Sequence, residues 1–258
     1  MINTIDFHIK ELEDMKKYPK ELFYIGDNSL LSKHKISIVG SRKPNQYTQQ
    51  YTHILAKELS NAGITIVSGG AMGVDAIAHN SAGLNNTIMV AGTGLDIRYP
   101  AINQQMIKTI EQKGLVLSQF QSGTPSTRYN FPIRNELVVA LGDILIVTQA
   151  DIKSGTMRSV EFALKMGKEI YVLPHQIGQS CGTNKLLEDN KAIPIYDIDK
   201  FIAKFSKVIS NDGKIDPFLQ YCQTNPLYDD AIVNYPNEMF EYELAGKINI
   251  KNGTVFIL

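Results

Sequence analysis

Five segments carry the residues that could hold a ligand, and most lie soon after an apolar run. The first is Val39-Gly40-Ser41-Arg42-Lys43-Pro44. A strand that ends in glycine and feeds a helix N-terminus makes an anion site. Unpaired backbone N–H groups and the positive end of the helix dipole converge there. Arg42 adds a fixed cation that can grip phosphate through two nitrogens, with Ser41 and Lys43 on either side. The second segment, Ser68-Gly69-Gly70-Ala71-Met72-Gly73-Val74-Asp75, reads as a phosphate or sugar contact, or as a tight turn whose glycines supply only positive φ. Asp75 reads equally well as a residue that stabilises the start of the next helix. Phe131-Pro132-Ile133-Arg134-Asn135 puts an aromatic ring, a cation and an amide at a helix start. That set suits a stacked base beside a phosphate. The alternative is a packed Phe131 with Arg134 paired to an acid, but the nearby Arg128 and Tyr129 favour a ligand. Lys153-Ser154-Gly155-Thr156 has the composition of a second phosphate seat, or of a plain capped loop. Gly92-Thr93-Gly94-Leu95-Asp96 completes the set.

Other chemistries find no match. The glycine-rich loop at residues 68–73 is not GxGxxG, and no acid follows at the ribose position. GxxxxGK[ST] does not occur, and His8, His34, His53, His79 and His175 show no metal spacing. No catalytic residue, metal or cofactor is expected. Cys181 and Cys222 stand alone and read as reduced thiols of a cytoplasmic protein. At 43% hydrophobic and 20% charged the 258-residue chain is of ordinary globular composition, with neither a membrane-spanning run nor a signal peptide expected. Its formal charge of zero hides an asymmetry. From Asp216 onward six acids face two lysines, a charge of −4 that leaves +4 on the rest.

These loops need a scaffold that brings them to one edge. Short apolar strands are predicted at 36–39, 64–67, 87–91, 115–118, 144–148, 169–173 and 192–196. Helices are predicted between them at 44–61, 74–82, 103–112, 133–141, 157–166 and 184–188, and after them at 198–205. Strands alternating with amphipathic helices imply βαβ units. The expected fold is therefore α/β: an extended Rossmann-like parallel sheet with helices on both faces. Right-handed crossovers then place every loop that follows a strand along one edge. Residues 1–35 read as a lead-in, 36–208 as the Rossmann-like domain and 209–215 as a linker. Residues 216–258, with helices at 217–222, 229–234 and 236–244 and a hairpin around Asn252-Gly253, read as a small winged-helix-like domain.

In this order the segments around Arg42, residues 68–79, residues 92–101, Phe131–Asn135, Lys153–Thr156, Val172-Leu173-Pro174 and Gly182–Leu187 resemble one pattern, that of the DprA/Smf family of DNA-processing proteins. The resemblance covers roughly residues 18–205. It implies a cytoplasmic, non-enzymatic homodimer that binds single-stranded DNA and loads RecA during natural transformation. By position it implies a DNA pocket of Ser41, Arg42, Lys43, Gly69, Gly70, Phe131, Arg134, Asn135, Lys153, Ser154 and Gly155, with Leu186 and Leu187 at the dimer surface. Three departures stand out. Glu136 occupies a place where many members carry a second arginine, which weakens one possible charge contact. The helical N-terminal domain of longer members is absent or reduced to the lead-in. The acidic C-terminal module is expected to contact protein rather than DNA. The rival reading is a nucleotide phosphoribohydrolase-like enzyme of related fold, or a nucleotide-sensing module. The glutamate such an enzyme needs three residues after Thr156 is replaced by Ser159.

Overall fold

The computed structural model describes residues 1–209, 217–222, 224, 226–244, 246–251 and 253–257. The chain divides into Met1–Phe205 and Ser206–Leu258. In the first unit, strands β1 (Asn3–Thr4), β2 (Phe23–Gly26), β3 (Lys35–Val39), β4 (Thr65–Ser68), β5 (Thr87–Val90), β6 (Leu115–Ser118), β7 (Ile144–Val147), β8 (Ile170–Val172) and β9 (Ile193–Pro194) build one sheet. Its order is β1-β2-β6-β5-β4-β3-β7-β8-β9. From β3 to β9 all neighbours pair in parallel, while β2 lies antiparallel to β6 and β1 antiparallel to β2. The helices are α1 (Gln46–Asn61), α2 (Val74–Ala82), α3 (Gln104–Lys113), α4 (Asn130–Leu141), α5 (Thr156–Lys165), α6 (Cys181–Glu188) and α7 (Ile198–Ile209).

Both faces of the sheet are covered. Every residue of β3, β4 and β7 is buried, the polar Lys35, Ser37, Thr65 and Ser68 among them, as expected of strands covered on both faces. Along β5, Ile88 and Val90 join a cluster with Leu137, Val138 and Leu141 of α4, while Met89 turns to Met106, Ile107 and Ile110 of α3.

The lead-in is part of the sheet. Besides β1 and β2 it forms 3-10 turns at Lys10–Asp14 and Asn28–Ser32, which put Leu12, Leu30 and Leu31 into the main core. Lys35 is buried at the start of β3. Its Nζ is held by Glu11 Oε1 at 2.6 Å and by the carbonyls of Leu31 and Lys33 at 2.7 and 2.8 Å. Two helix starts differ from the sequence reading. Asn45 Oδ1 accepts the Thr48 N–H at 2.8 Å, so α1 begins past Pro44. α4 begins earlier than expected, with Pro132 in a first turn where its missing N–H has no partner to lose.

In the second unit, α8 (Pro217–Cys222), α9 (Tyr228–Asn234) and α10 (Pro236–Leu244) precede an antiparallel hairpin of β10 (Ile248–Lys251) and β11 (Thr254–Ile257). Phe218, Cys222, Ala231, Met239, Ile248 and Val255 form its core. Leu227 bridges to Thr254, and the Tyr228 and Val255 N–H groups donate to Gly253 and Pro226 carbonyls at 2.9 Å. Beyond residue 209 the expected linker lies outside the described residues, as does the turn residue Asn252.

Candidate nucleic-acid interface

Strand order reverses at β3 and β7. β4, β5 and β6 follow on one side of the pair, β8 and β9 on the other. The loops leaving the two strands therefore part, and a crevice opens outside their carboxyl ends. A groove of about 770 Å3 lies there. Ser41 and Arg42 line it from the loop after β3, Gly69 and Ala71 from that after β4, and Tyr99 from that after β5. Thr127 and Arg128 line it after β6, Phe131, Arg134 and Asn135 from the start of α4, and Ser154, Gly155 and Thr156 after β7.

The loop that presents Arg42 is clamped from two sides. The Val74 N–H at the start of α2 donates to the Ser41 carbonyl at 3.1 Å, and the Thr156 hydroxyl at the start of α5 donates to the Gly40 carbonyl at 3.0 Å. Gly73, at φ 78°, must be glycine twice over: its φ favours no side chain, and a Cβ would come within 2.4 Å of the Ser41 carbonyl oxygen. Arg42 itself is exposed, with its guanidinium carbon 5.6 Å from the centre of the Phe131 ring. α5 begins at Thr156, next to this loop in the groove lining, and its Met157 and Arg158 N–H groups donate to the Ser154 and Gly155 carbonyls at 3.2 Å. The Ser154 hydroxyl beside them is buried without a hydrogen-bond partner.

Arg134 is a different kind of cation. Only 5% exposed, it donates through Nη1 to the carbonyls of Gly69 and Val90, the latter at 3.0 Å, and through Nε to Asn135 Oδ1 at 3.0 Å. A Cβ on Gly69 would collide with the guanidinium. The buried Asp75 carboxyl accepts the Ala71 N–H at 3.2 Å and lies within the field of the Arg134 guanidinium. Burial pushes the Asp75 pKa up against the pull of Arg134 and the Ala71 amide. Burial likewise pushes Arg134 down against the pull of Asp75. The guanidinium thus ties the ends of β4 and β5 to α4, nearer to the structural reading offered for it than to a free phosphate contact. Beneath it, the Thr87 hydroxyl donates to Ile66 O at 2.8 Å, so it accepts from His79 Nδ1–H at 2.7 Å. Burial first and the Arg134 charge second hold the His79 pKa at about 3, and the ring is neutral.

The remaining expected residues sort unevenly. Lys43 and Lys153 are exposed and outside the groove lining. Gly70 is also outside it. Its φ of 71° and the Met89 side chain, 2.6 Å from where a Cβ would stand, make it a turn glycine. Glu136 Oε1 accepts the Lys16 N–H at 2.8 Å, so position 136 faces the lead-in and its departure from the family pattern removes no groove contact. Leu186 is 4% exposed and Leu187 half-buried in the main core. Leu186 therefore turns inward and offers no side chain to a second copy, a correction to the expected dimer surface. Tyr99 escaped the sequence reading although it stands in a segment already singled out. Its ring is 43% exposed and 5.9 Å from Phe131. Among the described residues no cluster of three His, Cys, Asp or Glu side chains could hold a metal, and no helix is long and apolar enough to cross a membrane.

The sequence profile described as DNA recombination-mediator protein A matches residues 5–206. The chain is 34% identical over 183 residues to the DNA processing protein DprA of Streptococcus pneumoniae, covering 69% of this chain and 64% of that one. It is 35% identical over 180 residues to the protein Smf of Synechocystis, covering 63% of this chain and 45% of that one. The chain thus spans about half to two thirds of the length of these relatives. The fold superposes on Helicobacter pylori DNA processing protein A with a TM-score of 0.79 at 42% identity, covering 81% of this chain and 97% of that one; that structure is described for its single-stranded DNA binding mode. For the S. pneumoniae DprA crystal structure the TM-score is 0.73 at 32% identity, covering 79% and 73%.

Proposed function

This chain belongs to the DNA recombination-mediator protein A family, and from that premise we propose that the groove at the β3–β7 switch point binds single-stranded DNA as part of a DNA-processing, recombination-mediating role. The observation that carries the reading is the exposed Arg42 guanidinium, set beside the Phe131 ring on a loop clamped to the starts of α2 and α5. Arg42 and the positive end of the α5 dipole attract phosphate, and the aromatic wall receives bases without reading their edges. A base has a free π-face only where a strand is unpaired, so the same wall disfavours duplex. Lys43 and Lys153 act from the surface around the groove and add salt-dependent attraction rather than fixed contacts.

The proposal extends to loading of RecA, to a homodimer and to a cytoplasmic setting, all implied by the family resemblance. It extends also to a winged-helix-like second unit, supported by the run of three helices, a hairpin and the Leu227 bridge. No bond is broken in the groove on this reading. Ser159 is buried where the rival enzyme needs its glutamate, and Glu161 is engaged by Arg158 at 2.8 Å on the surface. The test is a titration with single- and double-stranded oligonucleotides across salt, with particle size measured in parallel. Tighter, salt-sensitive binding of the single strand is expected. Release of adenine from AMP, with no affinity for strands, would replace this reading by the rival.

A further inference from the structure

Within that reading, the position of the base can be assigned more narrowly. Phe131 already has much of its ring occupied. The guanidinium carbons of Arg42 and Arg134 stand over it at 5.6 and 5.9 Å, and its edge lies against Gly92, where a Cβ would be 3.1 Å away. Tyr99 comes from a different loop, lies 5.9 Å from Phe131 with the ring planes 34° apart, and lines the same groove with 43% of its surface open. The two rings already touch, so a base has no room to enter between them.

We propose that Tyr99 is the ring on which a nucleobase stacks, while Phe131 is the backing that holds Tyr99 and the Arg42 guanidinium in place. Apolar ring area left open beside cations that seat phosphate is what an unpaired nucleotide needs: its base covers the ring while its phosphate meets Arg42. Tyr99 then acts on the base and Phe131 acts through Arg42 on the phosphate.

The two roles separate on a strand without bases. Wild type, Tyr99→Phe, Tyr99→Leu and Phe131→Leu are titrated with an oligothymidylate and with an abasic deoxyribose-phosphate oligomer of the same length, and unfolding midpoints are recorded for each. Tyr99→Phe should bind within about twofold of wild type. Tyr99→Leu should lose roughly 5- to 150-fold on the base-bearing strand, the span of one base–aromatic stack, and nothing on the abasic one. Phe131→Leu should lose affinity on both strands. Undiminished binding of the base-bearing strand by Tyr99→Leu, or an equal loss on both strands, would overturn the assignment. Wild-type protein that ignores both strands would instead remove the reading on which it rests.

Discussion

At the scale of single residues, Arg42 and Arg134 show how one side-chain type serves two purposes. Arg42 is exposed and packs on a ring, with no hydrogen-bond partner among the described residues, whereas Arg134 is buried with Nη1 on two backbone carbonyls. Arg134→Gln leaves the Gly69 and Val90 carbonyls without their buried donor, so urea unfolding should show a loss of about 1–3 kcal/mol. At a temperature where the variant stays folded its DNA affinity should fall while its dependence on salt keeps the wild-type slope. A slope as shallow as that of an Arg42 variant would mean that Arg134 meets phosphate directly. His79 makes a second prediction. Its folded pKa of about 3 lies below the ordinary 6.5, so between these values the unfolded chain binds more protons. Its contribution to stability is complete above about pH 6.5 and declines as pH falls towards 3, by up to roughly 1.4 kcal/mol per unit. His79→Asn should therefore flatten stability against pH in that window relative to wild type. An unchanged profile would contradict the buried neutral ring.

At the scale of elements, the site depends on strand ends that meet. Gly73→Ala forces a Cβ against the Ser41 carbonyl and the Arg42 backbone, atoms that cannot swing aside. It should destabilise the fold by more than about 1 kcal/mol and weaken strand binding nearly as much as loss of Arg42, although no charge is removed. Normal binding by this variant would show that the clamp on the loop is dispensable. The alternation of apolar runs and helical faces in the sequence was enough to predict the parallel strands from β3 to β8 and their loops, because buried parallel strands read as continuous Val/Ile/Leu runs. The antiparallel edge was not legible. Asn3–Thr4 and Phe23–Gly26 are too short to show a period, and only the pairing of β1 on β2 and of β2 on β6 defines them. Within the site, Arg42 could be read from its place after a strand and glycine. The burial of Arg134, the inward turn of Leu186 and the outward place of Glu136 could not, since each depends on contacts far along the chain.

At the scale of the whole molecule, the charge is unevenly divided. The segment from Asp216 onward carries −4 and the rest +4, so the first unit is the one suited to a polyanion. A chain ending at residue 205 should keep the single-strand affinity of the full protein and its salt dependence, as measured by fluorescence anisotropy. A loss of more than tenfold would assign strand contacts to the second unit. The central claim is that this sheet edge holds an unpaired strand through phosphates met by Arg42, and the salt dependence of oligothymidylate binding by wild type and Arg42→Ala tests it most directly. Each phosphate contact on a single strand contributes about 0.7 to the slope of log affinity against log salt. A weaker Arg42→Ala complex is expected, with a slope shallower by about that amount. Equal affinity and equal slope for the two proteins would contradict it.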